Sequence, residues 1–301
     1  MTGDFRYRLE RGGVKYACPA CRQQRRFVRY VDTLTGEQVA DEVGRCDRED
    51  SCGYHLRPSE YFRQTGTKPP TAAARRKEPM PEPEPSSIDA ETAGRSLTGY
   101  GHNNFALWLC SVFGEEIAFR LVDAYHVGTS RHWPGASIFW QQDVTGKIRG
   151  GKIMLYDAVT GRRVKEPFNH VTWVHKALKI ELYHLRQCLF GEHLLAADPV
   201  KPVAVVESEK TAIVAAGFMP EYIWTATAGK GNLKVVKLGL LRGREVTLFP
   251  DLGAFEKWKA AVDQMPGVRV SDVLERRASE EDRVAGLDLA DFILREQAIN
   301  V

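Results

Sequence analysis

Two sets of residues in this chain have the types and spacing to do chemistry. The first is acidic: Glu207 closes the apolar β-branched run 203–206, and Asp251 follows the run 245–249 directly after Pro250. Acids brought to one sheet edge by different strands suit a divalent cation. Magnesium keeps most of its waters, takes one or two protein carboxylates and completes its shell with phosphates, so such a pair fits phosphoryl transfer. In GLDLADFILRE, Asp288 is placed to cap the last helix, with Asp291 on its solvated face.

The second set is sulfur. Cys18 and Cys21 form a CxxC knuckle, and Cys46 and Cys52 return after an insert as CDREDSC. Four clustered cysteines read as a tetrahedral zinc site better than as disulfides in a chain expected to be cytoplasmic, with His55 as an alternative to Cys52. Four thiolates leave no open position, so this zinc is expected to be structural. RRFVRYVDT and EQVADEVGR, between the knuckles, alternate as a β-hairpin would. Arg22, Arg25, Arg26 and Arg29 interleave with Phe27 and Tyr30, a pattern that suits arginine on phosphates and rings on the bases of a single strand. Phe27 could equally fill the ribbon core, with the arginines simply solvated.

The elements that must position the acids are strands alternating with helices. Segments 203–206, 222–227 and 245–249 read as strands and 210–218 as a helix, so the expected fold class is α/β with a parallel sheet. Ligands collect at the carboxyl ends of such strands. VAVVESEKTA and VTLFPDLGAFEKW resemble the glutamate motif and the Asp-x-Asp motif of the Toprim family, the catalytic fold of bacterial primases, topoisomerases and some nucleases. The resemblance implies magnesium or manganese at Glu207 and Asp251, and its later acidic segment matches Asp288 and Asp291. One departure is plain: the chain reads Asp251, Leu252, Gly253, so the second acid of the pair is absent.

The chain has 301 residues, 43% of them apolar and 27% charged, enough for two domains or more. No apolar run reaches membrane-spanning length, so no membrane partner is expected. Residues 1–77 hold 16 Lys and Arg against 10 Asp and Glu, whereas the remainder is net acidic, which makes the N-terminal part the electrostatic candidate for nucleic acid. The expected organisation is a zinc ribbon over 1–64, a disordered Pro-rich tether over 65–87, an α+β subdomain over 88–198 and the Toprim-like part over 199–301. The subdomain's strands carry Lys147, Arg149, Lys152, Arg162, Arg163 and Lys165, a basic run that is expected to meet nucleic acid or is only a solvated hairpin, with Trp133, Trp140 and Trp173 nearby, either as core or as stacking groups. TAGKGNL lacks the spacing of a Walker A loop, although its Lys230 could approach a phosphate. His170, His175, His184 and His193 fit no metal pattern, and Cys110 and Cys188 read as small core residues.

Zinc ribbon, tether and Toprim-like region together resemble bacterial and phage primases, and the chain as a whole is similar to zinc-plus-Toprim-like proteins carried by mobile elements of Bacteroidetes. The resemblance implies a primase-like nucleotidyltransferase acting on single-stranded DNA, with nucleotides and a helicase or other replication protein as further partners. In that expectation Asp251 holds magnesium and Glu207 serves as general base or further ligand. A Toprim nuclease would use the same acids with water as nucleophile. With Gly253 at the second acid's place, a DNA-binding accessory without chemistry also fits.

Overall fold

Alternating runs interrupted by glycine turns build a small antiparallel sheet at the N-terminal end. The protein is described by a computed structural model at residues 5–10, 13–48, 51–67, 83–229, 233 and 238–299, with the chain divided into two units, Met1–Glu82 and Pro83–Val301. In the first unit β1 (Tyr7–Leu9), β2 (Phe27–Asp32), β3 (Gly44–Cys46) and β4 (His55–Leu56) pair antiparallel in that order. Phe27 lies opposite Cys46. A Cβ at Gly44 would stand 2.2 Å from the Val28 carbonyl oxygen and 2.5 Å from the Phe27 ring, so only glycine lets β3 pass here. The interior is thin: Cys18, Phe27 and Cys46, backed by Tyr16, Tyr54 and the other two cysteines, with Val43 also buried. Helix Pro58–Thr65, with proline in its first turn, follows the sheet.

The second unit holds two sheets. The first is an antiparallel meander of β5 (Val127–Thr129), β6 (Ser137–Gln142), β7 (Ile148–Met154) and β8 (Val171–Trp173). Asp143 shapes its central turn, with Oδ1 accepting the backbone N–H groups of Thr145 and Lys147. Helices Asn104–Phe113 and Glu115–Ala124 precede this sheet, the first capped by the Asn103 side chain.

The second sheet is parallel throughout. Its strands β9 (Val203–Val206), β10 (Ile223–Ala226), β11 (Val246–Leu248) and β12 (Val268–Val270) run in the order β10-β9-β11-β12. All four residues of β9 are buried, as expected of a central strand covered on both faces. From β9 the chain crosses through helix Glu209–Phe218 to β10 on one side, then to β11 on the other. The strand order therefore reverses between β9 and β11, and the crevice beyond their carboxyl ends is where such sheets bind ligands.

Both sheets share one core, in which Phe139 and Tyr156 meet Ala204, Trp224, Ile213 and Phe292. Backbone bonds of 2.9 and 3.0 Å pair Phe190 with Ala226, and the buried Tyr125 hydroxyl donates to the Trp224 carbonyl at 2.8 Å. Residues 88–198 and 199–301 thus form a single unit. Ser86 N–H donates to His184 O and Ile88 N–H to Ile148 O, so the body begins before residue 88. Residues 68–82, most of the expected tether, lie outside the described residues. Among the described residues no helix is long and apolar enough to cross a membrane.

Candidate functional site

Glu207 stands one residue beyond β9, and Ser208 after it caps helix Glu209–Phe218 by accepting the Thr211 N–H at 3.1 Å. Asp251 lies three residues beyond β11. The two acids therefore follow adjacent, paired strands on either side of the switch point. Helix Leu289–Ile299 brings the others. Asp288 Oδ1 accepts the Asp291 N–H and Asp291 Oδ2 accepts the Asp288 N–H, each at 3.1 Å, a reciprocal cap. The capping role expected of Asp288 is met, and both residues still face the cleft.

Glu207, Asp251, Asp288 and Asp291 line one cavity of about 700 Å³ together with Lys152, Arg162, Arg163, Lys165 and Lys210. Burial, and then Asp291, pushes the Asp288 carboxyl above the usual carboxylate range, against the Thr211 hydroxyl donating to Oδ2 at 2.7 Å. A buried acid beside another is relieved by a proton or a cation. Among the described residues no three of these acids gather their oxygens within 4.8 Å of one another.

Beside the acids, β7 supplies Lys152. Its Nζ lies 2.6 Å from Glu209 Oε1 and donates to the Ala228 carbonyl at 2.6 Å, both side chains being buried. Ala228 holds φ at 61°, the left-handed region, at the end of β10. Lys152 is thus spent on the cleft floor, whereas Arg162, Arg163 and Lys165 are exposed along its wall.

At Gly253, where the resemblance would put a further acid, φ is 79° and the N–H donates to Glu275 Oε1 at 2.7 Å. Arg283 also pairs with Glu275 and holds its carboxyl below the usual range. A carboxylate therefore sits at this turn, engaged by backbone and arginine and outside the cleft lining.

In the first unit the four cysteine sulfurs lie within 4.8 Å of one another, Cys18 and Cys52 being 3.8 Å apart. Zinc–sulfur bonds of about 2.3 Å in a tetrahedron put sulfurs roughly 3.8 Å apart, so the donor set fits structural zinc. A backbone N–H draws the Cys21 thiol down to about 7, while burial pushes Cys46 up to about 12. His55 is not part of the set, because its Nε2 meets the Tyr30 hydroxyl at 2.9 Å.

Several residues expected to meet nucleic acid are placed differently. Phe27 is fully buried against the cysteines, so its ring is not presented for stacking. Arg29 lies over the Tyr16 ring at 4.0 Å and pairs with Asp41 at 2.8 Å. Arg22, Arg25 and Arg26 are exposed, the first two with φ of 58° and 54° in the knuckle turn. Arg149 pairs with Asp143 at 2.6 Å, and Lys147 is exposed on the β6–β7 turn. Lys230 lies outside the described residues. The cleft residues Lys210 and Glu209 were not singled out from sequence, although both adjoin the Glu207 motif.

Residues 5–67 match the family model of a zinc beta-ribbon finger, which spans all four cysteines. Residues 103–252 match a domain of unknown function, DUF6371, which includes Glu207 and Asp251 but neither Asp288 nor Asp291. Among solved structures, the chain is similar to the primase fragment of the bacteriophage T7 primase-helicase protein, at 14% identity over 91% of this chain and 98% of that one, with a TM-score of 0.40. It is similar to the RNA polymerase domain of Mycobacterium tuberculosis primase DnaG, at 13% identity over 69% and 80%, with a TM-score of 0.40. A DnaG primase catalytic domain bound to ssDNA gives 12% identity over 64% and 77%, with a TM-score of 0.42. No curated protein matches the chain.

Proposed function

We propose that this protein is a primase-like nucleotidyltransferase that binds single-stranded DNA and joins nucleotides in a Toprim-type cleft. The observation that carries this is the meeting of Glu207, Asp251, Asp288 and Asp291, from two strand ends and one helix cap, with Arg162, Arg163, Lys165 and Lys210 in one cavity, beside the Lys152–Glu209 pair. Acids alone would suit a metal store and cations alone an anion site; the mixture suits phosphate esters turning over at a bound metal. Asp251 and Glu207 would hold magnesium or manganese, with Asp288 and Asp291 completing the acidic wall. When bound, the ion neutralises charge on the reacting phosphate. Arg162, Arg163, Lys165 and Lys210 hold phosphates and fix the strand's path, while Glu207, buried in the same cleft, serves as further ligand or as general base for the hydroxyl that bonds to the α-phosphorus of a nucleoside triphosphate as pyrophosphate leaves. The zinc ribbon, with Arg22, Arg25 and Arg26 exposed, contributes template binding, and nucleotides and a replicative partner protein complete the proposal.

Gly253 favours a second reading, a DNA-binding accessory on the same fold, because the Glu275 carboxylate that meets its N–H is already engaged by Arg283. Manganese binding separates the two. Titration of the zinc-loaded protein, followed by the paramagnetic resonance of free ion, is expected to show a site that Asp251→Asn and Glu207→Gln each weaken at least tenfold. Equal manganese affinity in wild type and both variants would remove the metal from this cleft and leave the accessory reading.

A further inference from the structure

One wall of the cleft ends in a loop that neither the acids nor the zinc unit accounts for. Leu155 O accepts the Val164 N–H at 3.0 Å, and Val164 O accepts the His170 N–H at 3.3 Å, which pins segment 164–170 as a closed loop. On it Phe168 is 53% exposed. Its ring stacks on His170 with centroids 4.1 Å apart and planes 25° apart, and His170 is buried. Trp133 meets His170 edge-on at 5.2 Å. Lys165 is three residues away on the same loop, and Arg162 and Arg163 lead into it; all three are exposed and line the cleft.

We propose that Phe168 is a stacking platform for an unpaired base of a single-stranded nucleic acid whose phosphates run along Arg162, Arg163 and Lys165. An isolated exposed phenylalanine is unremarkable on a protein surface. This one is held against a buried ring, so its orientation is fixed before any ligand arrives, and its outer face continues a stack already begun. The cations that precede it along the chain, on the cleft wall, supply the complementary charge for a phosphate backbone. Every base has a face to stack, so the contact tolerates any sequence, as a template site must. The inference rests on the nucleic-acid reading of the cleft and deepens it.

The test is fluorescence anisotropy of the full zinc-loaded chain with labelled oligo(dT) and with an abasic oligonucleotide of equal length, over a range of salt. Phe168→Ala is expected to weaken oligo(dT) binding roughly five- to hundredfold, the size of one lost base stack. The slope against salt should stay unchanged, because no phosphate contact is removed. Phe168→Trp should restore affinity, and the abasic strand should bind wild type and Phe168→Ala alike. Thermal melts of both variants should match wild type, since half the side chain is already in solvent. Equal oligo(dT) affinity in wild type and Phe168→Ala would overturn the platform while leaving the cleft reading intact. Failure of wild type to bind any single strand would overturn both.

Discussion

Chelation of zinc, or Cys46→Ser, is expected to unfold the N-terminal unit and leave the second unit folded. Among its described residues the first unit fully buries Cys18, Phe27, Val43 and Cys46, two of them metal ligands, with a few partly buried side chains around them. So small a core cannot offset the entropy of ordering the chain. Structural zinc binding is worth about 10–16 kcal/mol in small zinc domains, and here that energy is folding energy. Hydrogen exchange is the measurement. Amides of β2 and β3 should lose protection on chelation, while those of β9 and β10, buried at every residue, keep theirs. Protection of β2 and β3 that survives complete zinc removal would contradict the assignment.

Lys152→Met is expected to destabilise the second unit by about 3–5 kcal/mol, because it strands the buried Glu209 carboxylate without its cation. It also removes the donor that satisfies the Ala228 carbonyl. Glu209→Gln added to Lys152→Met should recover most of the loss, since a neutral amide no longer carries an uncompensated charge. Urea unfolding monitored by the tryptophans of the second unit reads both. A cost for Lys152→Met below about 1 kcal/mol, the range of exposed pairs, would show that the pair is open to water.

The strand ends were legible from sequence because continuous apolar runs such as 203–206 can only be buried on both faces, and the acids that stop them announce themselves. The zinc ligands were legible because cysteine spacing is a local signal. β12 was not expected: Val268–Val270 has three residues, none fully buried, with an arginine in the middle. Phe27 shows a different limit. Alternation in β2 says that Phe27 and Val28 face opposite ways, and only the pairing of Phe27 with Cys46 says which side holds the metal. Lys152 reads in the sequence as one cation of a basic run for nucleic acid or of a solvated hairpin, and its ion pair with Glu209, 57 positions along the chain, is a product of the two sheets sharing a core. The same long-range packing put Arg162, Arg163 and Lys165 on the cleft wall, whereas Arg149, from the same basic run, went to Asp143.

The most direct measurement is a denaturing gel of zinc-loaded protein with labelled single-stranded DNA, with and without nucleotides, in magnesium and in manganese, beside Glu207→Ala and Asp251→Asn. New products that need both template and nucleotides, absent with either variant, are the predicted result. Shortened DNA without nucleotides would replace nucleotidyl transfer with hydrolysis on the same acids. An unchanged band in every lane, with DNA bound by wild type and both variants alike, would contradict the central claim and leave a binding protein on this fold.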